Sequence, residues 1–227
     1  MKTSISRNVL HKKPNWYYSD LRSDMLEFIP KDSRKVLDIG CGEGAFGAML
    51  KNERSCEVWG VEISEVAGAA AAKKIDRTII GDFETNTMPL PQNYFDCIVF
   101  NDVLEHFKDP WKALCKCSQY LTDNGFIVSS IPNIRYFPVF KDYLLNCSWN
   151  YAFEGVLDET HLRFFTMNSI KRMFAECGYD IFKMEGINRI KFPWKFRIFN
   201  GLMMGKFEDV RFKQFACVVQ KNICKKT

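Results

Sequence analysis

The chain has 227 residues, 47% of them hydrophobic, and 32 Lys and Arg against 27 Asp and Glu give a formal net charge of +5. This length predicts a single α/β domain over residues 1–227, the mixed charge argues against a basic nucleic-acid-binding extension, and no apolar run is long enough to span a membrane. Nine cysteines without a CxxC pair, and an N-terminus without the apolar region of a secretory signal, predict reduced thiols and a cytoplasmic protein.

Helix-like and strand-like patterns alternate along the first half of the chain, which favours a parallel sheet with helices on both faces. Residues 1–30 are expected to form a helical cover, because residues 19–30 carry four apolar side chains on one helical face: Leu21, Met25, Phe28 and Ile29. Five short apolar strands are predicted, at residues 35–39, 57–62, 77–82, 95–102 and 126–132. A helix begins after the first strand, and an alanine-rich helix with Ser64 as its N-cap follows the second.

The second half begins with a predicted helix that has Asp109 as its cap, Pro110 in its first turn and Gly125 at its end. Its inward stripe is expected to contain four residues: Trp111, Leu114, Ser118 and Leu121. Residues 133–165 are less regular, with a helix at about 137–145, and are expected to cover the acceptor as an inserted lid. A further helix runs from a Thr166 cap to a Gly178 stop, and strands follow it and end the chain. The basic and aromatic residues 188–207 could dock a phosphate-bearing or lipid-linked substrate, but we favour the interpretation that they form a loop that packs its rings on the body.

A glycine-rich turn follows the first strand, in the stretch "VLDIGCGEGAFG". It formally fits the dinucleotide pattern G-x-G-x-x-G/A, starting at Gly40. Small residues let the backbone approach a ligand, and the next helix offers free N–H groups. Asp38 would repel a pyrophosphate at this turn, whereas it suits a ligand that is cationic there. S-adenosylmethionine has an α-ammonium, a sulfonium and no phosphate, so it fits better than a nicotinamide dinucleotide.

Two more acidic residues end the next two strands. Glu62 lies 20 residues after Gly42, at the end of the second strand, where a carboxylate can accept both ribose hydroxyls. Asp82 and Phe83 end the third strand and offer a carboxylate for the adenine amino group and a ring for its face. Three carboxylates at successive strand ends therefore predict a site for an adenosine-bearing ligand.

The stretches "VLDIGCGEGAFG", "GVEIS", "GDFE", "FDCIVFNDVLEHFKDP" and "FIVSSIPN", in this order and spacing, resemble class I S-adenosylmethionine-dependent methyltransferases over about residues 17–220. The resemblance implies a Rossmann-like sheet of seven strands in the order 3-2-1-4-5-7-6, with the seventh strand antiparallel. It implies that the donor, and the product S-adenosylhomocysteine, bind at the carboxyl ends of strands one to four. The residues that it assigns to the donor are Tyr17, Tyr18, Arg22, Asp38, Gly40, Gly42, Glu62, Ile63, Asp82, Phe83, Asn101 and Asp102.

Two histidines are candidates for the base that a hydroxyl acceptor requires as its proton leaves. We expect His161, from the lid, to be this base, and His106, after the fourth strand, to support it. An alternative is metal assistance, because Asp102, Glu105, His106 and His161 resemble the metal ligands of ubiquinone-pathway O-methyltransferases and of small-RNA 3′-end methyltransferases. This chain has Asp102 where Glu is usual, and we expect no metal.

The acceptor is predicted from one further resemblance. The stretch "LDETHLRFFTMNSIKRMF" resembles methyltransferases of cell-surface polysaccharide and nucleotide-sugar pathways, so the acceptor is expected to be a hydroxyl or amine of a sugar, nucleotide sugar or glycan intermediate. Quinone or RNA-end methylation with a metal remains an alternative, although no Asn-Pro-Pro-Tyr motif indicates a nucleic acid. An NAD-dependent oxidoreductase and a non-catalytic donor-binding partner are alternatives of other classes. Asp38 at the glycine turn argues against the oxidoreductase.

Overall fold

The computed structural model describes residues 21–85, 87–192 and 194–222. Its centre is a seven-stranded sheet in the order β3-β2-β1-β4-β5-β7-β6. The strands are β1 Lys35–Ile39, β2 Glu57–Glu62, β3 Arg77–Ile80, β4 Phe95–Asn101, β5 Leu121–Pro132, β6 Tyr179–Arg189 and β7 Phe212–Lys221. Strands β1 to β5 pair in parallel, and β7 is antiparallel to both β5 and β6. The predicted Rossmann-like fold class and strand order are therefore confirmed.

Helices lie between these strands. The α-helices are α1 Ala45–Glu53, α2 Glu65–Ala71, α3 Pro110–Cys117, α4 Phe137–Leu145, α5 Met167–Glu176 and α6 Trp194–Leu202. Short 3-10 helices are η1 Ser23–Phe28, η2 Leu104–His106 and η3 Glu208–Arg211. The predicted caps are present: the Ser64 side chain accepts from the amide of Ala67, and Thr166 forms a capping box with Ser169.

The core forms two apolar layers, one on each face of the sheet. Alternate residues of β1 divide between them, because side chains along a strand point to opposite faces. Leu37 packs with Phe100, Leu114 and Phe174 in one layer, whereas Val36 packs with residues of η1 and α1 in the other. The alternation leaves the carboxyl ends of the strands free to carry polar side chains.

The prediction for the helix after β4 was wrong about where it ends. Helix α3 ends at Cys117, and Gly125 lies inside β5. The carbonyl of Tyr120 accepts from the amides of Tyr94 and Phe95, so the chain joins the sheet before a longer helix can form. The inward face of α3 therefore consists of buried Ala113, Leu114 and Cys117, and Ser118 is exposed.

The N-terminal cover was predicted only in part. Residues 1–20 lie outside the described residues, and residues 23–28 form a 3-10 helix instead of an α-helix. Met25, Phe28 and Ile29 are buried as predicted, whereas Leu21 is 54% exposed. The reason is Arg22, whose φ of 44° is left-handed and turns the chain before η1 begins.

The basic and aromatic stretch that was interpreted as a loop contains α6. Its rings do pack, since Phe192 and Phe196 stack with centroids 3.8 Å apart and Phe137 meets Phe192 edge-on. The outer side of α6 carries exposed Trp194 and Leu202. Among the described residues, no helix has both the length and the apolar character that crossing a bilayer requires.

Residues 133–165 leave the sheet and return to it at adjoining points. Asn133 and Phe165 form an isolated bridge, and the amide of Ile134 donates to the carbonyl of Phe165 at 2.9 Å. Helix α4 has the predicted range, and none of its residues is buried. The segment is therefore anchored at its base and open to solvent along its helix.

Candidate donor-binding and catalytic site

A cavity of about 1010 Å³ lies at the carboxyl ends of β1, β2 and β4. This is where ligands bind in open α/β sheets, at the point where the strand order reverses. Twelve of the predicted site residues line it: Arg22, Asp38, Gly40, Gly42, Glu62, Ile63, Asp82, Phe83, Asn101, Asp102, His106 and His161. Tyr17 and Tyr18 lie outside the described residues.

The turn after β1 requires glycine. Gly40 has a φ of 72° and Gly42 a φ of 55°, both in the left-handed region that side chains disfavour. A Cβ on Gly40 would lie 2.6 Å from Cγ2 of Val103. A larger residue at Gly40 would therefore strain the backbone and require the Val103 side chain to shift.

Two buried carboxyl groups face this turn. Oε2 of Glu62 accepts from the amide of Gly42 and Oε1 from the amide of Ser64, each at 2.9 Å. Burial, together with the nearby Glu62, raises the pKa of Asp38 to about 8, and burial also raises the pKa of Glu62. Neither has an ion-pair partner in the described part of the chain. A cation and a pair of hydroxyl donors are the ligands that this end of the cavity suits.

The residues after β3 have internal partners. Oδ1 of Asp82 accepts from the amide of Glu84, and its Oδ2 accepts from the Thr85 hydroxyl at 2.8 Å. The Phe83 ring is 3% exposed and meets Phe100 edge-on in the core. Asp82 therefore holds a turn at the cavity wall and little of the Phe83 ring is accessible, so the adenine contacts stay predictions.

The end of β4 contains an unsatisfied amide. Both the oxygen and the nitrogen of the Asn101 side chain are buried without a hydrogen-bond partner among the described residues. Leaving such a group unpaired costs about 1–3 kcal/mol, which a bound ligand can recover. Asn101 lies at the end of β4 and lines the same cavity as Asp38 and the two histidines. Its unpaired amide is therefore an argument that a ligand binds in this cavity.

Asp102, the next residue, is fully engaged by the protein. Its carboxylate pairs with Arg22, accepts from the Ser130 hydroxyl at 2.9 Å and accepts from Nε2 of Gln214. Sequence reasoning missed Ser130 and Gln214, because nothing in two apolar strands distinguishes them. Asp102 and Arg22 therefore form a fixed wall, and the carboxylate is turned toward cationic and neutral donors of the protein.

The two histidines come from different segments and meet inside the cavity. Their rings are 4.8 Å apart, edge-on. Nδ1 of His106 lies 3.2 Å from the carbonyl of Thr160, and Nδ1 of His161 lies 3.0 Å from the carbonyl of Val156. Because a carbonyl only accepts, we assign the ring proton to Nδ1 in both, which places the acceptor lone pair of each neutral imidazole on Nε2. Burial, followed by His161, lowers the pKa of His106 to about 4.

Glu105 completes this cluster. It is 1% exposed, neither of its oxygens has a hydrogen-bond partner within the described ranges, and Oε1 lies 3.9 Å from Nε2 of His161. Burial, followed by the charge of Asp102, raises the pKa of Glu105 well above its usual range. One ligand atom from each of Glu105, His106 and His161 lies within 4.8 Å of the others. Of the four residues of the predicted metal set, three therefore converge, and Asp102 binds Arg22 instead.

A family model described as a methyltransferase domain matches residues 11–183. This chain belongs to that family. The methyltransferase domain thus covers β1 to β5, residues 133–165 and the start of β6. The methyl donor of this domain is S-adenosylmethionine, and the buried carboxyls at the glycine turn and the unpaired Asn101 amide suit such a ligand.

Three known proteins are similar to this chain. A probable S-adenosylmethionine-dependent methyltransferase of Mycobacterium tuberculosis is 31% identical over 114 residues, which are 50% of this chain and 41% of that protein. A ubiquinone biosynthesis O-methyltransferase of Neisseria meningitidis is 23% identical over 68% of this chain and 67% of its own. The crystal structure of a methyltransferase from Archaeoglobus fulgidus has a TM-score of 0.65 at 21% identity, covering 94% of this chain and 97% of that one. The chain thus matches less than half of the mycobacterial relative, and the archaeal likeness shows the fold.

Proposed function

We propose that this protein transfers a methyl group from S-adenosylmethionine to a hydroxyl or amine of a sugar, nucleotide sugar or glycan intermediate. The observation that carries the proposal is a single cavity whose two ends carry different chemical groups. Buried carboxyls of Asp38 and Glu62 lie at one end and the imidazoles of His106 and His161 at the other. The first end suits the cationic donor, and the second suits removal of a proton from the acceptor.

The donor supplies an activated methyl group, so the protein has to align the donor with the acceptor, exclude water and accept the proton that leaves the acceptor. Asp38 lies where it can face the ammonium, Glu62 where it can accept from the ribose, and the glycine turn gives both access. Residues 133–165 cover the opposite side, as their anchoring at Asn133 and Phe165 allows.

The proton of a hydroxyl acceptor leaves as the carbon–oxygen bond forms and the carbon–sulfur bond breaks. In our proposal Nε2 of His161 takes this proton, because its Nδ1 is fixed by the Val156 carbonyl. Glu105, whose Oε1 lies 3.9 Å from Nε2, would favour the resulting imidazolium in its carboxylate form, which burial disfavours until the positive charge forms. His106, in contact with His161, orients the ring and offers a second lone pair.

The experiment incubates the protein with labelled S-adenosylmethionine and a panel of sugars, sugar phosphates and nucleotide sugars, followed by mass spectrometry of the products. We expect label on an oxygen or nitrogen of one carbohydrate class. Donor binding without transfer to the panel would contradict the sugar proposal. If quinols and RNA ends also remained unmethylated, the result would favour the non-catalytic partner.

A metal-assisted O-methyltransferase is the second candidate. It is favoured by the convergence of Glu105, His106 and His161, each of which has one possible ligand atom within 4.8 Å of those of the other two. Oxygen and imidazole ligands together suit Mg²⁺ or Mn²⁺, which would lower the pKa of an acceptor hydroxyl. Loss of turnover on chelation, restored by either metal, would support this candidate over histidine acting alone.

A further inference from the structure

A second cavity, of about 610 Å³, lies between the end of β6, helix α6 and η3. Its charged lining is unbalanced. Four basic residues and one acidic residue contribute to it: Arg189, Lys191, Arg197, Arg211 and Glu208. The proposed methyl transfer uses none of these side chains, so their concentration in one cavity requires a separate explanation.

Most of this positive charge is not neutralised by the protein. Nη1 of Arg211 pairs with Glu208 at 2.5 Å, which accounts for the one carboxylate. Nε of Arg211 is buried and has no hydrogen-bond partner in the described part of the chain. Arg189, Lys191 and Arg197 have no ion pair there either. Three uncompensated cations and a buried guanidinium N–H therefore share one concave site.

Glu208 is also engaged by Asn200 and Arg211 and not by the other cations. Its Oε2 accepts from Nδ2 of buried Asn200 at 3.1 Å, while Oε1 holds Arg211. Oδ1 of Asn200 accepts in turn from the amide of Phe207 at 2.9 Å, which fixes the chain after α6. The wall is thus a connected polar network, and the excess charge is built into it.

Residues that are close in sequence line the two cavities. Arg211, the last residue of η3, lines the cationic cavity, and Lys213, in β7, lines the donor cavity. Two residues of chain span at most about 7 Å. An elongated acceptor could therefore reach from one cavity to the other.

We infer that the cationic cavity binds a phosphate or diphosphate group of the methyl acceptor. Guanidinium groups match the oxygens of phosphate with paired, charge-assisted hydrogen bonds, and an oxyanion relieves the repulsion among the cations. The inference rests on the proposed function, and it narrows the acceptor to a phosphorylated sugar or a nucleotide sugar. Neutral sugars would lack the group that this cavity recognises.

The test measures binding of pyrophosphate to the whole protein by calorimetry at low salt. Arg197→Gln removes a cation from the cavity, and because Arg197 is exposed we expect the substitution to leave the fold unchanged. Lys195→Gln is the matched control, since it removes a charge from the same helix but does not line the cavity. We expect pyrophosphate affinity to fall about tenfold in Arg197→Gln, which corresponds to about 1.4 kcal/mol, and less than twofold in Lys195→Gln.

Equal weakening in both variants would reduce the effect to overall charge and overturn the inference. So would absence of pyrophosphate binding, or binding to vesicles of phosphatidylglycerol without binding to pyrophosphate, which would indicate a lipid surface. S-adenosylmethionine is titrated into the same samples. Pyrophosphate binding without donor binding would support the oxyanion site and refute the methyltransferase function, and donor binding without pyrophosphate binding would overturn the oxyanion site alone.

Discussion

The donor end of the molecule and its C-terminal side are built in different ways. At the ends of β1 and β2, Asp38 and Glu62 are 3% and 5% exposed, and backbone amides fix the Glu62 carboxylate. On the other side, α4 buries no residue, and α6 buries only Asn200 among the described residues. The difference supports our proposal that the donor binds at a preformed site. The acceptor side is more open, and we expect substrate choice to reside there.

The largest effect should come from filling the glycine turn. Gly40→Val places a branched side chain where Cβ alone is 2.6 Å from Val103, at a φ of 72°. We expect donor binding to fall at least a hundredfold by calorimetry, with a lower Tm. Gly178→Val is the control, because it has a φ of 79° with open space around it and lies outside the cavity lining. Equal loss of donor affinity in both variants would mean that strain, and not the site, is responsible.

The next effect concerns the base. His161→Ala should lower kcat by about 10² to 10⁴, the usual contribution of a general base, while donor affinity changes less than twofold. His106→Ala should lower kcat by a smaller factor and should also weaken donor binding. Near-normal kcat in His161→Ala, measured with the true acceptor, would show that this histidine only packs the lid segment.

A smaller effect is expected from pH at the donor end. Burial and Glu62 raise the pKa of Asp38 to about 8, so the group is largely protonated at pH 7 in the free protein. A cationic ligand favours the carboxylate, but the α-ammonium of the donor loses its own proton at about pH 8. Donor affinity should therefore rise about threefold between pH 7 and pH 8 and fall again toward pH 9. Asp38→Asn should remove the rise and leave the fall. A wild-type profile without a rise between pH 7 and pH 8 would contradict the pairing of Asp38 with the ligand's cation.

The smallest expected effect is that of a chelator. We predict less than a twofold change in turnover when divalent metals are removed, because His161 and His106 can accept a proton without one. Metal content by mass spectrometry, before and after dialysis, accompanies the assay. Loss of a stoichiometric metal together with activity would show that Glu105, His106 and His161 act as metal ligands, and that neither histidine acts alone as the base.

Sequence patterns predicted the glycine turn, the strand ends and the helix caps because the determinants of these features are local. The glycine turn, the carboxylates at strand ends and the caps at Ser64 and Thr166 are each set by a few adjacent residues. The resemblance to the methyltransferase family then supplied the strand order, which local patterns leave open.

The remaining features depend on residues that are distant in sequence. Asp102 is satisfied by Arg22 and by Gln214, which lie 80 and 112 positions away. The cationic cavity forms because β6 and β7 pair in a register that brings Arg189 opposite Phe212, next to Arg211. Periodicity does not report such register, and it also placed Gly125 in a helix end where the sheet had already begun.

The central claim is that the cavity binds S-adenosylmethionine through Glu62, and calorimetry of the donor tests it most directly. In Glu62→Gln an amide group would face the N–H groups of Gly42 or Ser64 and accept only one ribose hydroxyl, whereas Glu65→Gln changes an exposed residue three positions on. The account predicts one donor site in the wild type, affinity reduced at least tenfold in Glu62→Gln, unchanged affinity in Glu65→Gln, and no binding of NAD. Equal donor affinity in all three proteins, or binding of NAD in place of S-adenosylmethionine, would contradict it.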